Sequence, residues 1–475
     1  MAFTNEQEVK LKELLAAYAG GKRLNELPVA NCKNPFDLII EVLDSDGETK
    51  QSKLAVLLPY IETQCMYGIE FDTAVSSPLC TRIGNTDLHK SLPIQSRMRG
   101  CLLNDNGIVV EYLNASNWNG HDLSGVSGQV MVEIPEHYRK FETEGTKRRA
   151  KISEYPLPGY HFVKRQYVSA FEASIERSTG KLCSIMNMAA DFRGGTNEVT
   201  YDGKPNSLLG RPVTGMSRTD FRSSARKRGA GAQWNCNDYN INKSIAWLFY
   251  IEYATLNSQA AYTAQKDANG FSQGGLGSGA TLFDTSVWRS FNGLNPFIPC
   301  GHTNSLNNNS GEVLYSVLNA DGTVLKAMYA NRYRGIENPF GHIWKWTDGI
   351  IVDVKSNLDG GTSNVYVCSN PDNYKDTDHT GYEMRGLASR VNGYATEMIM
   401  GEFGDILPAK TGGSDTTFWC DYYYTYVAEY SVLRGVLVGS GAGSGAYAGF
   451  GYANASYAPS DSNASFGSRL CFIPA

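Results

Sequence analysis

The amino-acid sequence predicts an α+β protein with long loops. Its 28 Tyr, 19 Phe and 49 Gly favour strands joined by turns. One long segment, NKSIAWLFYIEYATLNSQ at 242–259, carries the 3.6-residue apolar period of a helix. Much of what surrounds that segment reads as loop, with Gly- and Asn-rich stretches such as GGLGSGA and HTNSLNNNSG. An apolar content of 42% against 19% charged residues suits a chain with a substantial core. At 475 residues there is room for about three average domains. We divide the chain into an N-terminal helix and hairpin (1–62), a β-rich middle (63–150) and a long C-terminal part (151–475).

Taken in order, TNEQEVKLKELLAAYAGG is a well-punctuated helix. Thr4 and Gln7 have the spacing of a capping box. Leu11, Leu14, Leu15 and Tyr18 form one apolar stripe, and Gly20 and Gly21 end it. So short a helix is marginal alone and is expected to pack on copies of itself or on a larger assembly. Residues 37–62 read as a strand, an SDG turn and a second apolar segment. The middle part shows short strand-like runs, GIVVEYL and QVMVEIP, separated by turns at NDNG and WNGHD. The charged stretch KRRAKISEYPLPGYHF, with Pro156 and Pro158, marks the passage into the C-terminal part. There the helix at 242–259 places Ile245, Leu248, Phe249, Tyr253 and Leu256 on one face.

Several function classes are disfavoured. A net charge of −5 argues against binding nucleic acid through bulk positive charge. MAFTNEQEVKLK has no apolar core of a secretory signal, and the longest apolar run, IAWLFYI, is too short to cross a bilayer. The ten cysteines are scattered without CxxC spacing and read as buried thiols. None of the seven histidines stands in HxxxH or HExxH spacing. The run GAGSGA at 441–446 lacks the following helix and acidic residue of a dinucleotide loop. GxxxxGK[ST] is missing. Arg218, Arg222 and Arg226 share a helical face, which suits a phosphate or acidic-glycan patch or, as short charge runs more often do, a solvated or salt-bridged surface.

The most distinctive internal stretch is GIENPFGHIWKWTDGI at 335–350. Trp344 and Trp346 alternate with Ile343 and Lys345, as on a strand with one buried face. Gly341 before them marks a tight backbone approach. The two indoles are expected to anchor the fold.

The order WLFYIEYA, GHIWKWTDG, LRGV (433–436) and FGSRLCF (466–472) resembles the C-type-lectin-like fold of formylglycine-generating enzymes and of the variable proteins of diversity-generating retroelements. In that superfamily a GNVWEW-like strand matches Gly341–Trp346, an RGGSW-like strand matches Arg434–Val438, and a terminal GFR matches Gly467–Arg469. The sequence departs at His342, Lys345, Val436 and Leu437. Formylglycine-generating enzymes use a C-terminal cysteine pair, whereas no Cys lies between Cys420 and Cys471 here. Glu337–Asn338–Pro339 has the wrong order for a calcium-dependent sugar site, and WND is missing. The resemblance therefore implies a C-type-lectin-like C-terminal domain that binds a ligand, with no catalytic residue, metal or cofactor.

Residues 435–468 hold eight Gly, seven Ala, seven Ser and three Tyr, and no Lys, Glu, Gln, Trp or Met. In the retroelement-diversified relatives, adenine-randomised NNC codons exclude those same five residues, so the composition is compatible with diversification. Physically, Tyr supplies broad amphipathic contact at low entropy cost, and Ser, Gly and Asn supply adaptable hydrogen bonds, the mixture found in antibody paratopes. The expected contact residues are Tyr422, Tyr424, Val438, Ser440, Gly441, Gly443, Ser444, Tyr447, Gly451, Tyr452, Asn454 and Tyr457. Ala446, Ala448, Phe450, Ala458, Pro459, Trp419, Cys420 and Leu433 are expected as scaffold. Strand phase decides which of these point outward, and alternation alone leaves the phase open.

These readings lead to a phage virion protein, a tail or head fibre, made in the host cytoplasm without membrane insertion. It would bind a host-surface glycan or protein, contact other virion proteins through its N-terminus, and form a homotrimer. An oxidase of the formylglycine-generating type and a virion decoration protein without a receptor are the alternatives.

Overall fold

The computed structural model describes residues 39–43 and 49–474. The helix expected at 4–21 lies outside the described residues. The strand Ile39–Leu43 pairs antiparallel with Thr49–Lys53, and the SDG turn expected between them lies outside the described residues. The apolar segment that follows is a helix, Leu54–Cys65, rather than a continuation of the hairpin.

The α+β expectation is corrected. Strands make up 35% and helices 17%, and among the described residues the strands fall into seven sheets. The C-terminal part is thus not a loop-rich domain around one helix, as the lectin-like reading implied. Its largest sheet runs in the order Glu383–Leu387, Ser363–Val367, Trp344–Val354, Val432–Val438, Ala453–Ala455, Tyr422–Thr425, Gly393–Met400, Asp405–Thr411, and Phe466–Gly467 lies in parallel beside the Trp344 strand. The Ser389 amide donates to Pro408 O across the gap between the first and last strands, at 2.9 Å, so the sheet is nearly a closed barrel. Many of these strands escape sequence reading because their registers slip. Gly393–Met400 against Asp405–Thr411 has three irregularities, which break the period of two.

Three segments that carry the resemblance lie side by side. Trp346 faces Leu437 and Lys345 faces Val438 in an antiparallel pair. Lys345 also faces Gly467 in a parallel one. Gly341, at φ +94°, packs so closely on Thr281 that a Cβ would lie 2.7 Å from its methyl carbon.

Two further sheets complete the framework. An antiparallel five-stranded sheet is ordered His161–Val163, His137–Glu144, Lys147–Ser153, Met66–Asp72, Thr81–Gly84. An antiparallel six-stranded sheet is ordered Trp234–Cys236, Leu470–Phe472, Gln166–Ser169, Gln129–Ile134, Arg99–Leu103, Val109–Tyr112. The proposed division at residue 150 falls inside the strand Lys147–Ser153, and the strand Leu470–Phe472 joins a sheet built largely from the middle of the chain.

The expected helix is present at Tyr239–Tyr253. The Asp238 carboxylate accepts from the Ile241 amide at 3.0 Å as N-cap, and Ala254 closes the helix in the left-handed region. It is buried all round rather than on one face, because it is the hub between sheets. Trp247 packs 5.0 Å from Phe141 of the five-stranded sheet and donates to Gly404 O of the barrel at 2.7 Å. Phe249 lies 4.8 Å from Phe450. Two of its charged side chains are buried and paired, Lys243 with Asp405 at 2.7 Å and Glu252 with Arg334 at 2.6 Å. Among the described residues, no helix is long and apolar enough to cross a membrane.

A tyrosine-lined candidate binding cleft

Strand pairing fixes the phase that the sequence left open. Tyr424 pairs in parallel with Asn454, which also faces Leu437 across an antiparallel pair. Tyr422 and Tyr424 therefore point out, half-buried, while Tyr423 and Thr425 point into the barrel. After Val438 the chain leaves the sheet through Gly439 and Ser440, both in the left-handed region at φ +81° and +79°. Gly441 then lies flat on the Trp344 indole, where a Cβ would sit only 3.1 Å from the ring. A short 3-10 turn, Gly445–Tyr447, brings the Tyr447 ring back over the strand.

The result is a patch of packed phenols. Tyr447 lies 4.3 Å from Tyr422 and 5.4 Å from Tyr394, and Tyr422 lies 4.8 Å from Tyr424. Tyr452 sits 4.7 Å from Trp344 and joins this aromatic layer to the barrel wall. Burial, then neighbouring phenols, raises the pKa of Tyr422, Tyr424 and Tyr452 above that of free tyrosine. These hydroxyls are neutral at physiological pH and able to donate and accept.

Beside this patch opens a cleft of about 450 Å³, within the volume range of small-molecule sites. Eight of the twelve expected contact residues line it: Tyr424, Gly441, Gly443, Ser444, Tyr447, Tyr452, Asn454 and Tyr457. Tyr422 supports Tyr447 at the rim. Val438, Ser440 and Gly451 are buried away from the cleft and act as framework. Val438 pairs with Lys345 and Ala453, and the Gly451 amide donates to Asp421 at 2.8 Å. Of the expected scaffold residues, Ala448, Phe450, Pro459, Trp419 and Cys420 are buried, Ala458 and Leu433 are half-buried, and Ala446 is exposed on the 3-10 turn instead.

The far wall has no counterpart among the expected residues. It comes from the helix Thr285–Asn292, whose Trp288 and Arg289 line the cleft with Leu294. Asp284 caps this helix, accepting from the Ser286 amide at 2.7 Å, and Trp288 is fixed by donating to Asn295 O at 3.2 Å. The helix carries no local sign of a site, since only tertiary packing brings it opposite residues much later in the chain. Trp344 also lines the cleft and is half-exposed there. Lys345, on the other face of its strand, is buried too, so the strand is covered on both sides rather than one.

Other charged clusters are committed internally. Arg218 and Arg222 both bind Asp376, and Arg222 also binds Asp348 at 2.5 Å. Arg218 is fully buried, so this row is a salt-bridged face rather than an anion patch. A larger cleft of about 620 Å³ lies at the start of the central helix. There Asp238, pushed up to about 6 by burial, already caps the helix and accepts from the Tyr374 hydroxyl at 2.5 Å. Arg139 donates to Ser244 at 3.1 Å.

No protein-family model matches the sequence, and no curated protein is similar to it at a significant level.

Proposed function

We propose that the chain is a binding protein of a phage virion, an adhesin that grips a host-cell surface ligand through the tyrosine cleft. The observation that carries this reading is the convergence of Tyr424, Tyr447, Tyr452 and Trp344 with Ser444, Asn454 and Tyr457 around one open cleft. Rigid aromatic rings give contact area at small entropy cost, and short polar side chains give directional bonds. The cleft stands on barrel strands, so its geometry is set before the ligand arrives, which reduces the cost of binding. Residues beyond the described region at the N-terminus would attach the protein to the virion and trimerise it. Linked copies then convert weak single contacts into strong adhesion.

The test is binding of the purified chain to bacterial cells and to a glycan array, compared with Tyr447→Ala and Tyr424→Ala. The reading expects retention by wild type and at least about a tenfold loss in each variant, the size of one hot-spot aromatic contact. Binding that ignores both substitutions, or no binding to any cell or glycan, overturns it in favour of a decoration protein without a receptor. Light scattering of the full-length protein checks the trimer.

A further inference from the structure

We infer that the ligand of this cleft is a saccharide bearing an acidic group, and that Arg289 receives that group. The inference rests on the cleft being a binding site and specifies the chemistry of what enters it. Arg289 is exposed at the rim and is the one charged residue among those that line the cleft. Among the described residues nothing pairs with its guanidinium, although most other arginines of the chain are engaged with carboxylates or carbonyls.

Two further groups point the same way. Asn454 is 7% exposed, yet only its carbonyl oxygen is engaged, accepting from the Ser456 amide at 2.9 Å and hydroxyl at 2.6 Å. Its NH2 has no partner among the described residues. Trp344 lines the same cleft, and its indole N–H is likewise without an acceptor among them. Three donors unpaired among the described residues, one of them cationic, thus belong to residues that line a cleft with no carboxylate in its walls. Such a site is matched by a ligand rich in acceptor oxygens and carrying negative charge. The planar guanidinium fork fits a carboxylate, sulfate or phosphate. The flanking rings of Trp344, Tyr447 and Tyr452 fit the apolar faces of a sugar. An acidic peptide would instead call for several cations.

The experiment uses the full chain on an array that prints sialylated, uronate-containing and sulfated saccharides beside their neutral parents. The variants are Arg289→Gln, Arg289→Lys and Tyr447→Ala, each shown by its thermal melt to be folded at the assay temperature. Acidic saccharides are expected to bind about tenfold more tightly than their neutral parents, as one charge-assisted contact provides. Arg289→Gln should erase that preference, Arg289→Lys should keep part of it, and added salt should weaken it. The carboxylate and sulfate arms tell which acid is taken. Equal binding of neutral parents, or a preference that survives Arg289→Gln, overturns the inference while leaving the cleft reading intact if Tyr447→Ala still abolishes binding. If Tyr447→Ala changes nothing, or no saccharide binds, the cleft reading falls and this inference falls with it.

Discussion

The ring of Tyr447 lies 4.3 Å from that of Tyr422, inclined at 33°. One ring belongs to a 3-10 turn in the small-residue run and the other to a barrel strand, so this contact ties a loop to a rigid wall. We expect each Tyr→Ala change to lower stability modestly. A double-mutant cycle should give a coupling of about 0.5–1.5 kcal/mol, the usual value of an aromatic pair. Tyr→Phe at either position should keep the coupling. Urea denaturation of the four proteins measures it, and additive single effects would show that the turn is not held by this contact.

Lys345 pairs with Glu172 at 2.8 Å with both side chains buried, and His342 donates from Nδ1 to the other Glu172 oxygen at 2.5 Å. Burial pushes the Glu172 carboxyl up, but Lys345 and His342, with Arg469, override it and hold it at about 2. Burial likewise lowers Lys345 to about 8. Lys345→Met should cost about 3–5 kcal/mol by removing the cation paired with the buried Glu172 carboxylate, which His342 alone then contacts. Because the folded carboxyl titrates below its ordinary 4.5, its contribution is full above that pH and is lost as pH falls towards 2. A melting series across this range should show the decline, and Glu172→Gln should flatten it at a lower starting stability.

Asp421 behaves in the opposite sense. It is buried beneath the tyrosine strand, accepts the Gly451 amide, and has no cation beside it among the described residues, so burial raises it well above 3.8. A raised carboxyl costs stability as pH climbs from 3.8 through its folded value, because the unfolded chain releases the proton first. Asp421→Asn should therefore be neutral in acid and progressively more stable than wild type as pH rises. Gly449→Ala should cost about 1–3 kcal/mol through overpacking, since its Cβ would fall 1.8 Å from the Asp421 carboxyl. Thermal melts at pH 4 and pH 8 decide both.

Asp376 is held at about 2, against burial, by Arg218 and Arg222. Asp376→Asn should destabilise by about 3–5 kcal/mol, because Arg218 is left buried without its counter-charge. Replacing Arg226, whose guanidinium among the described residues reaches only Pro371 O, should cost far less, on the order of 1 kcal/mol. Chemical denaturation at pH 7 compares the two.

Much of the cleft is legible in the sequence. A run of small residues punctuated by Tyr447, Tyr452 and Tyr457 reads as an adaptable surface, and eight of the twelve residues expected from it and from its neighbouring tyrosines line the cleft. Of the four exceptions, Tyr422 points out and supports Tyr447 at the rim. Val438 is buried because neighbouring strands set its phase, while Ser440 and Gly451 lie just outside the strands and are covered by tertiary packing. Arg289 and Tyr394 come from segments with no distinguishing local pattern. His342, Lys345 and Arg218 are polar residues inside the molecule because Glu172 and Asp376 meet them there.

Composition and period by themselves determined the central helix at Tyr239–Tyr253, the strand of Trp344 and Trp346, and the tyrosine-bearing run near the C-terminus, since each is a local pattern of apolar spacing or side-chain size. Only the tertiary structure decided that strands dominate, that the largest sheet nearly closes on itself, and that a distant tryptophan and arginine complete the cleft. Those outcomes depend on pairings between residues far apart in the chain, where the free energy comes from joint burial and charge pairing and leaves no local period to read.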